Sequence, residues 1–242
     1  MKIVLLSILI VHFAYAEPDW FHYQTDKCQN NTSEDQVHAS KGLNRCADGS
    51  VSFTQPPSRG AGGWEGRCGH TMATNMLYTI CNVAVKPDTY FGPLFKDVTP
   101  GVRPGTLARG ISRAFKLNED FCPERSEASW YTIKLGNSRN FVNRVNEYLE
   151  PKYSHRSQTY ITRDGRSYFR NPVGVLIQNP NSKMLHWVLV VDQIENYGVC
   201  NYVVNHWGKQ FEVPCSKLAE WSGKVGKTYP LILKSYQVVS LR

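Results

Sequence analysis

Three polar residues that lie far apart in the chain, Cys68, His186 and Asn205, are of the types that thiol-dependent acyl transfer uses. A cysteine becomes a nucleophile when its thiol loses a proton, and a helix N-terminus together with a nearby imidazole promotes that loss. The imidazole in turn needs a third group that fixes its ring and its tautomer. The order Cys, His, Asn therefore predicts a nucleophile, a general base and an orienting amide.

The first of these residues, Cys68, lies where the glycine-rich stretch 60–66 runs into an amphipathic segment. The apolar residues that follow recur at helical spacing, so the pattern predicts a helix that begins at the cysteine. Unpaired N–H groups at a helix start stabilise a thiolate. The alternative is a disulfide cysteine that happens to lie at a helix start. The apolar residues of the stripe are Met72, Met76, Leu77, Ile80 and Cys81.

Gln55, in the loop before this helix, is the candidate side-chain donor of an oxyanion hole. The backbone N–H of Cys68 would be the second donor. A glutamine in a loop rich in proline and glycine is equally well explained as an ordinary polar loop residue, and both interpretations stay open.

His186 opens the apolar run 185–191, and an earlier apolar run covers 172–177. Both runs predict buried strands. Asn205 ends a third predicted strand, and in an antiparallel meander that end meets the start of the strand of His186. The amide oxygen of Asn205 would then accept from one ring nitrogen of His186 and leave the other facing Cys68. A core histidine and a turn asparagine are the competing interpretations.

Two other histidines compete for the role of base. His70 would project from a different face of the predicted helix than Cys68, and His206 would alternate away from Asn205 along its strand. No metal site is predicted, because the chain has no CxxC, no HExxH and no histidine pair at helical spacing. No cofactor is predicted either.

Residues 1–16 predict a cleavable secretory signal. Lys2 precedes the apolar core 3–13, and Ala14, Tyr15 and Ala16 form a small-x-small cleavage site. No later stretch is long and apolar enough to predict a membrane span. We therefore expect a secreted or periplasmic protein.

Export changes the interpretation of the seven cysteines, because most thiols pair in an oxidising compartment. An odd number leaves at least one unpaired, and Cys68 as nucleophile would leave six for three bridges. A hairpin around 205–208 would bring the first pair of cysteines opposite each other. A second pair is suggested by nearness in sequence, and the two cysteines that are then left form the third pair. These pairs are Cys200 with Cys215, Cys28 with Cys46, and Cys81 with Cys122.

The formal net charge is +8 and falls by one when Lys2 leaves with the signal. Basic residues are dispersed rather than clustered, so no nucleic-acid partner is expected. Attraction to an acidic cell wall or membrane surface stays open. We divide the exported chain into an N-terminal extension over 17–50, stapled by a disulfide, and a catalytic domain over 51–242.

The middle of the chain predicts a scaffold. Apolar spacing predicts one helix after Pro104 and another over 141–149, and 130–135 predicts a strand. Asp164 and Gly165 lie between two short β-rich runs, which is a hairpin signal. Helices lie mainly in the first half and strands in the second, which predicts an α+β fold.

On these motifs the chain resembles the papain-like cysteine peptidase superfamily, over roughly residues 50 to 225. The branch it resembles most is the double-glycine peptidases that process bacteriocin leaders, with their exported relatives. That branch more often has Asp as the third residue, whereas Asn is the residue of papain itself. The matching positions are Gln55, Cys68-Gly69-His70-Thr71-Met72-Ala73, His186-Trp187-Val188-Leu189-Val190-Val191, Asn205, Gly208 and Lys209.

The resemblance implies a helix with Cys68 packed on an antiparallel sheet that carries His186 and Asn205. It also implies hydrolysis of peptide bonds in a peptide or protein substrate through a thioester acyl-enzyme. A transamidase or a cell-wall amidase would use the same residues. A third alternative is a catalytically dead, disulfide-stabilised binding module or toxin.

Overall fold

A computed structural model describes just under half of the chain. The predicted signal segment, Cys28 and Gln55 lie outside the described residues. The described ranges are 43–46, 51–53, 68–81, 83, 103–122, 128–134, 138–150, 160–161, 167–168, 171–178, 185–206, 208–223 and 235–241.

The described elements combine helices with antiparallel strands, so the α+β class is confirmed. The helices are α1 (Cys68–Cys81), α2 (Pro104–Leu117), α3 (Ser138–Leu149) and α4 (Cys215–Gly223). The strands are β1 (Leu43–Arg45), β2 (Val51–Phe53), β3 (Ala128–Lys134), β4 (Tyr160–Ile161), β5 (Ser167–Tyr168), β6 (Val173–Gln178), β7 (Leu185–Asn196), β8 (Val199–His206), β9 (Lys209–Pro214) and β10 (Ser235–Leu241).

The main sheet of the described residues has the order β3-β10-β6-β7-β8-β9, with antiparallel neighbours throughout. Strand β10 inserts between β3 and β6 and so joins the middle of the chain to its second half. Strands β4 and β5 form the predicted hairpin, and β1 pairs with β2. The predicted domain boundary at residue 50 falls between β1 and β2.

Helices cover both faces of this sheet. One apolar cluster packs α1 and α2 on the sheet, and a second packs α3 and α4 on the other face. All 14 residues of α1 are buried. Strands β6, β7 and β8 contribute to both clusters, which explains their nearly continuous apolar runs.

The predicted helical periodicities appear as buried stripes. Pro104 occupies the first turn of α2, where its missing N–H has no intrahelical partner to lose. Leu107, Ile111 and Phe115 then face the core. Their spacing repeats every three to four residues, so one side of α2 is apolar and the opposite side is left to charged residues.

A close contact between α1 and β6 leads to a prediction. A Cβ atom at Gly174 would lie 2.7 Å from Met72 Cε and 2.8 Å from Met72 Sδ. Gly174→Ala is therefore expected to lower the free energy of unfolding by about 1 kcal/mol, the low end for overpacking, because the crowded atoms are the flexible end of the buried Met72 side chain. Urea unfolding measures this change.

A double-mutant cycle with Met72→Ala tests the cause. Met72→Ala alone should cost about 2–5 kcal/mol through the cavity it leaves. The new methyl group at position 174 would partly fill that cavity, so the double variant should lose less than the two single losses together. If the loss of stability in the double variant equalled the sum of the two single losses, the contact between position 174 and Met72 would be contradicted.

Candidate active site

Cys68 is the first residue of α1 and is the free cysteine among those described. Its side chain is almost fully buried. The predicted helix start at this cysteine is therefore confirmed, and the alternative of a disulfide cysteine at this position is wrong. A cysteine nucleophile requires a free thiol, and Cys68 keeps one in a protein whose other described cysteines are disulfide-bonded.

The described disulfides agree with the predicted pairs. Cys81 bonds to Cys122, and Cys200 bonds to Cys215 with their Cα atoms 5.5 Å apart. The second bridge follows from the register of β8 and β9, which places Cys200 and Cys215 across from each other, next to the last pair of the ladder. Cys46 is also disulfide-bonded, whereas its predicted partner, Cys28, lies outside the described residues.

The thiol of Cys68 is held in its neutral form. Burial raises its pKa, and hydrogen bonds from the backbone N–H groups of Trp187 and Gly69 offset only part of that rise. The expected stabilisation of a thiolate by the helix start is present but is outweighed by desolvation. The bond from Trp187 also places the sulfur beside β7, one residue along the backbone from His186.

His186 and His206 form a buried pair. Nε2 of His186 lies 2.6 Å from Nδ1 of His206, and the rings meet edge to face with centroids 4.4 Å apart. Burial lowers the pKa of His186 from 6.5 to about 3. The pKa of His206 is also well below its ordinary value, through burial first and then through His186 and Lys209. Both rings are therefore neutral, and one donates its N–H to the other.

The imidazole of His186 lies on the side of the sheet that packs against α3 and α4. Trp187 belongs to the same apolar cluster as Cys68, whereas Val188 belongs to the opposite cluster. Side chains alternate along a strand, so His186 shares the face of Val188. The contact of the His206 ring with Phe211, a member of the opposite cluster, supports this assignment.

Asn205 lies on the other side, the face that packs against α1. It is paired in register with Leu189, which belongs to the same apolar cluster as Cys68. Its Oδ1 accepts a hydrogen bond of 2.8 Å from Nε2 of Gln210, and both amides are buried.

The structure thus brings Cys68 and Asn205 to one face of the sheet and places the imidazole of His186 on the other. The catalytic roles of the three residues stay a prediction. Sequence reasoning missed the partners His206 and Gln210. The sequence shows that His206 alternates away from Asn205 along its strand. It does not show which face of the sheet His186 takes, because apolar residues follow His186 without a break.

The described residues show neither a metal cluster nor a spanning helix. Within the described ranges, no three or more His, Cys, Asp or Glu side chains come together as ligands. None of the described helices has the length and apolar character needed to cross a membrane.

Comparison with known proteins adds no family. No protein-family profile and no curated protein sequence matches this chain. The chemistry and geometry of its own residues are therefore the basis for a functional assignment.

Proposed function

We propose that the protein is an exported, papain-like cysteine hydrolase that cleaves peptide bonds with Cys68 as nucleophile. The observation that carries the proposal is the position of Cys68: a free thiol at the first residue of a buried helix, with backbone N–H groups directed at its sulfur. Other described cysteines are disulfide-bonded, as expected in an oxidising compartment. A disulfide-rich protein that keeps one thiol buried at a helix start has the arrangement of a nucleophile.

In the proposed reaction, Sγ of Cys68 attacks the carbonyl carbon of the scissile amide while His186 takes the thiol proton. The backbone N–H of Cys68, with Gln55, stabilises the oxyanion of the tetrahedral intermediate. The C–N bond then breaks, and His186 returns the proton to the leaving amine. Water hydrolyses the thioester and regenerates the thiol. Asn205 orients the imidazole.

This chemistry requires the imidazole of His186 to reach the sulfur, so in the proposed enzyme His186 would have to turn from the face of α3 and α4 to the face of α1. His186 is the second residue of β7, and a shift of one residue at this strand start would turn it to the face of α1. The ladder between β7 and β8 already shifts register between Val190 and Asp192.

One observation favours a second candidate, a binding module on an inactive scaffold of this kind. The imidazole of His186 is paired with His206 on the face opposite Cys68, and the thiol is neutral. A protein that had lost catalysis would have no need to bring the two groups together.

Labelling with an iodoacetamide or epoxide probe, followed by peptide mapping, separates the two candidates. For a hydrolase, Cys68 of the folded protein is labelled, and His186→Ala slows the labelling because the proton acceptor is lost. Cys68→Ser is the control for label on other cysteines. Labelling of Cys68 only after unfolding, at a rate unaffected by His186→Ala, would exclude the hydrolase and support the binding module.

A further inference from the structure

The outer side of α2 carries a basic face, defined here as Arg109, Arg113 and Lys116. Their spacing of four and three residues places the three side chains on one side of the helix. All three are exposed, on the side opposite the buried stripe, and α2 contains no acidic residue. The basic face is therefore a local group of three positive charges on the surface of α2.

The basic face forms no ion pair with any carboxylate among the described residues. Its Arg109 donates a hydrogen bond of 3.4 Å to the hydroxyl of Thr106. Helices α3 and α4 differ, since Arg144 of α3 pairs with Glu147 at 2.6 Å and Lys217 of α4 pairs with Glu220 at 2.9 Å. Exposed cations without an ion-pair partner in the described part of the chain are available to an external anion.

Two large apolar side chains lie exposed at the end of the basic face. Leu117 and Phe121 are each 67% exposed. Phe121 lies in the turn after α2, where its backbone N–H and that of Cys122 both bond to the carbonyl of Asn118. The disulfide from Cys122 to Cys81 fixes this turn against α1. The apolar pair is thus held on an ordered part of the fold, next to the cations.

We infer that the basic face together with Leu117 and Phe121 binds the surface of a lipid bilayer that contains anionic lipids. Cations attract anionic headgroups, and apolar side chains beside them insert at the boundary between headgroups and acyl chains. A soluble polyanion would satisfy the cations but would leave Leu117 and Phe121 exposed to water. The combination of charge and apolar surface therefore favours a membrane over an acidic polymer.

Two acidic residues set the strength of this interaction. Glu119 and Asp120 are exposed in the same turn as Phe121 and would lie close to the headgroups. Their charges oppose binding to an anionic surface. The inferred interaction is therefore reversible, and neutralising the pair with Glu119→Gln and Asp120→Asn should tighten it.

Co-sedimentation of the purified protein with phosphatidylcholine vesicles, with and without phosphatidylglycerol, tests the inference. Binding should require phosphatidylglycerol and weaken as salt is added. The triple variant Arg109→Gln, Arg113→Gln and Lys116→Gln should bind such vesicles on the order of a hundredfold more weakly, since each cation near the surface contributes about fivefold. Leu117→Ser with Phe121→Ser should also weaken binding.

The matched control removes the same charge elsewhere, with Arg139→Gln, Arg144→Gln and Lys217→Gln on α3 and α4. It should retain binding. An equal loss in the control would show that bulk charge alone is responsible and would overturn the inference. Unchanged binding in the Leu117 and Phe121 variant, together with equal binding to soluble heparin, would identify an acidic polymer as the partner and would also overturn it.

Discussion

Turnover of a peptide substrate is expected to fall roughly a million-fold when either Cys68 or His186 is replaced by alanine. In the proposed reaction the thiol would form the bond to the acyl group and the imidazole would carry the proton, so neither would work without the other. The double variant should be no slower than either single variant. The measurement is kcat/KM of the mature protein on a peptide that the wild type cleaves.

Three further variants test the assignment of roles. Asn205→Ala should leave measurable activity, because an amide that only orients the imidazole forms no bond to the substrate. His70→Ala provides the control for loss of a buried histidine, since His70 lies on α1 and is as deeply buried as His186. An inactive His70→Ala alongside an active His186→Ala would show that the base had been assigned to the wrong residue. His206→Ala shows whether the buried ring partner is needed for turnover.

Acidification is expected to destabilise the protein steeply, through the buried pair of His186 and His206. An unfolded histidine gains a proton below about pH 6.5, whereas folded His186 gains one only near pH 3. Between these values the unfolded state binds more protons, so stability is complete above pH 6.5 and falls as the pH falls. His186 alone costs about 1.4 kcal/mol per pH unit in this window, and His206 adds to the loss in the same direction.

Urea unfolding at a series of pH values from about 7 to about 4 measures this slope. Comparing slopes rather than absolute stabilities separates titration from any packing loss in a variant. His186→Gln removes one titrating group, so the slope of stability against pH should fall by about 1.4 kcal/mol per pH unit. Carboxylates contribute equally to the slopes of the wild type and of His186→Gln, so their effect cancels in the comparison. An unchanged slope in His186→Gln would mean that the ring is not protected from protonation in the folded protein.

Much of the local structure could be predicted because its causes are local. The spacing of Leu107, Ile111 and Phe115 behind Pro104 predicts α2, and the structure contains that helix. The bridge from Cys200 to Cys215 followed from two β-rich runs around a short turn, and the register of β8 and β9 confirms it. Each prediction depends on a single helix or on one hairpin.

The charge of the Cys68 thiol could not be predicted from its own segment. The position at a helix start is visible in the sequence, and it favours a thiolate. The opposing desolvation depends on how completely the sheet and other distant parts of the chain cover α1, and this coverage buries all 14 of its residues. Because burial sums contributions from residues far apart in sequence, the balance between the two effects appears only in the folded molecule.

The sequence by itself determined the thiol at the start of a helix, the strands that carry His186 and Asn205, and the class of the fold. Only the tertiary structure decided which face of the sheet each polar side chain takes. Every residue from Trp187 to Val191 is apolar, and the sheet is covered on both faces, so no alternation of polar and apolar residues marks one side. The register between β7 and its neighbours fixes the face instead, and it places His186 beside His206 and Asn205 beside Gln210.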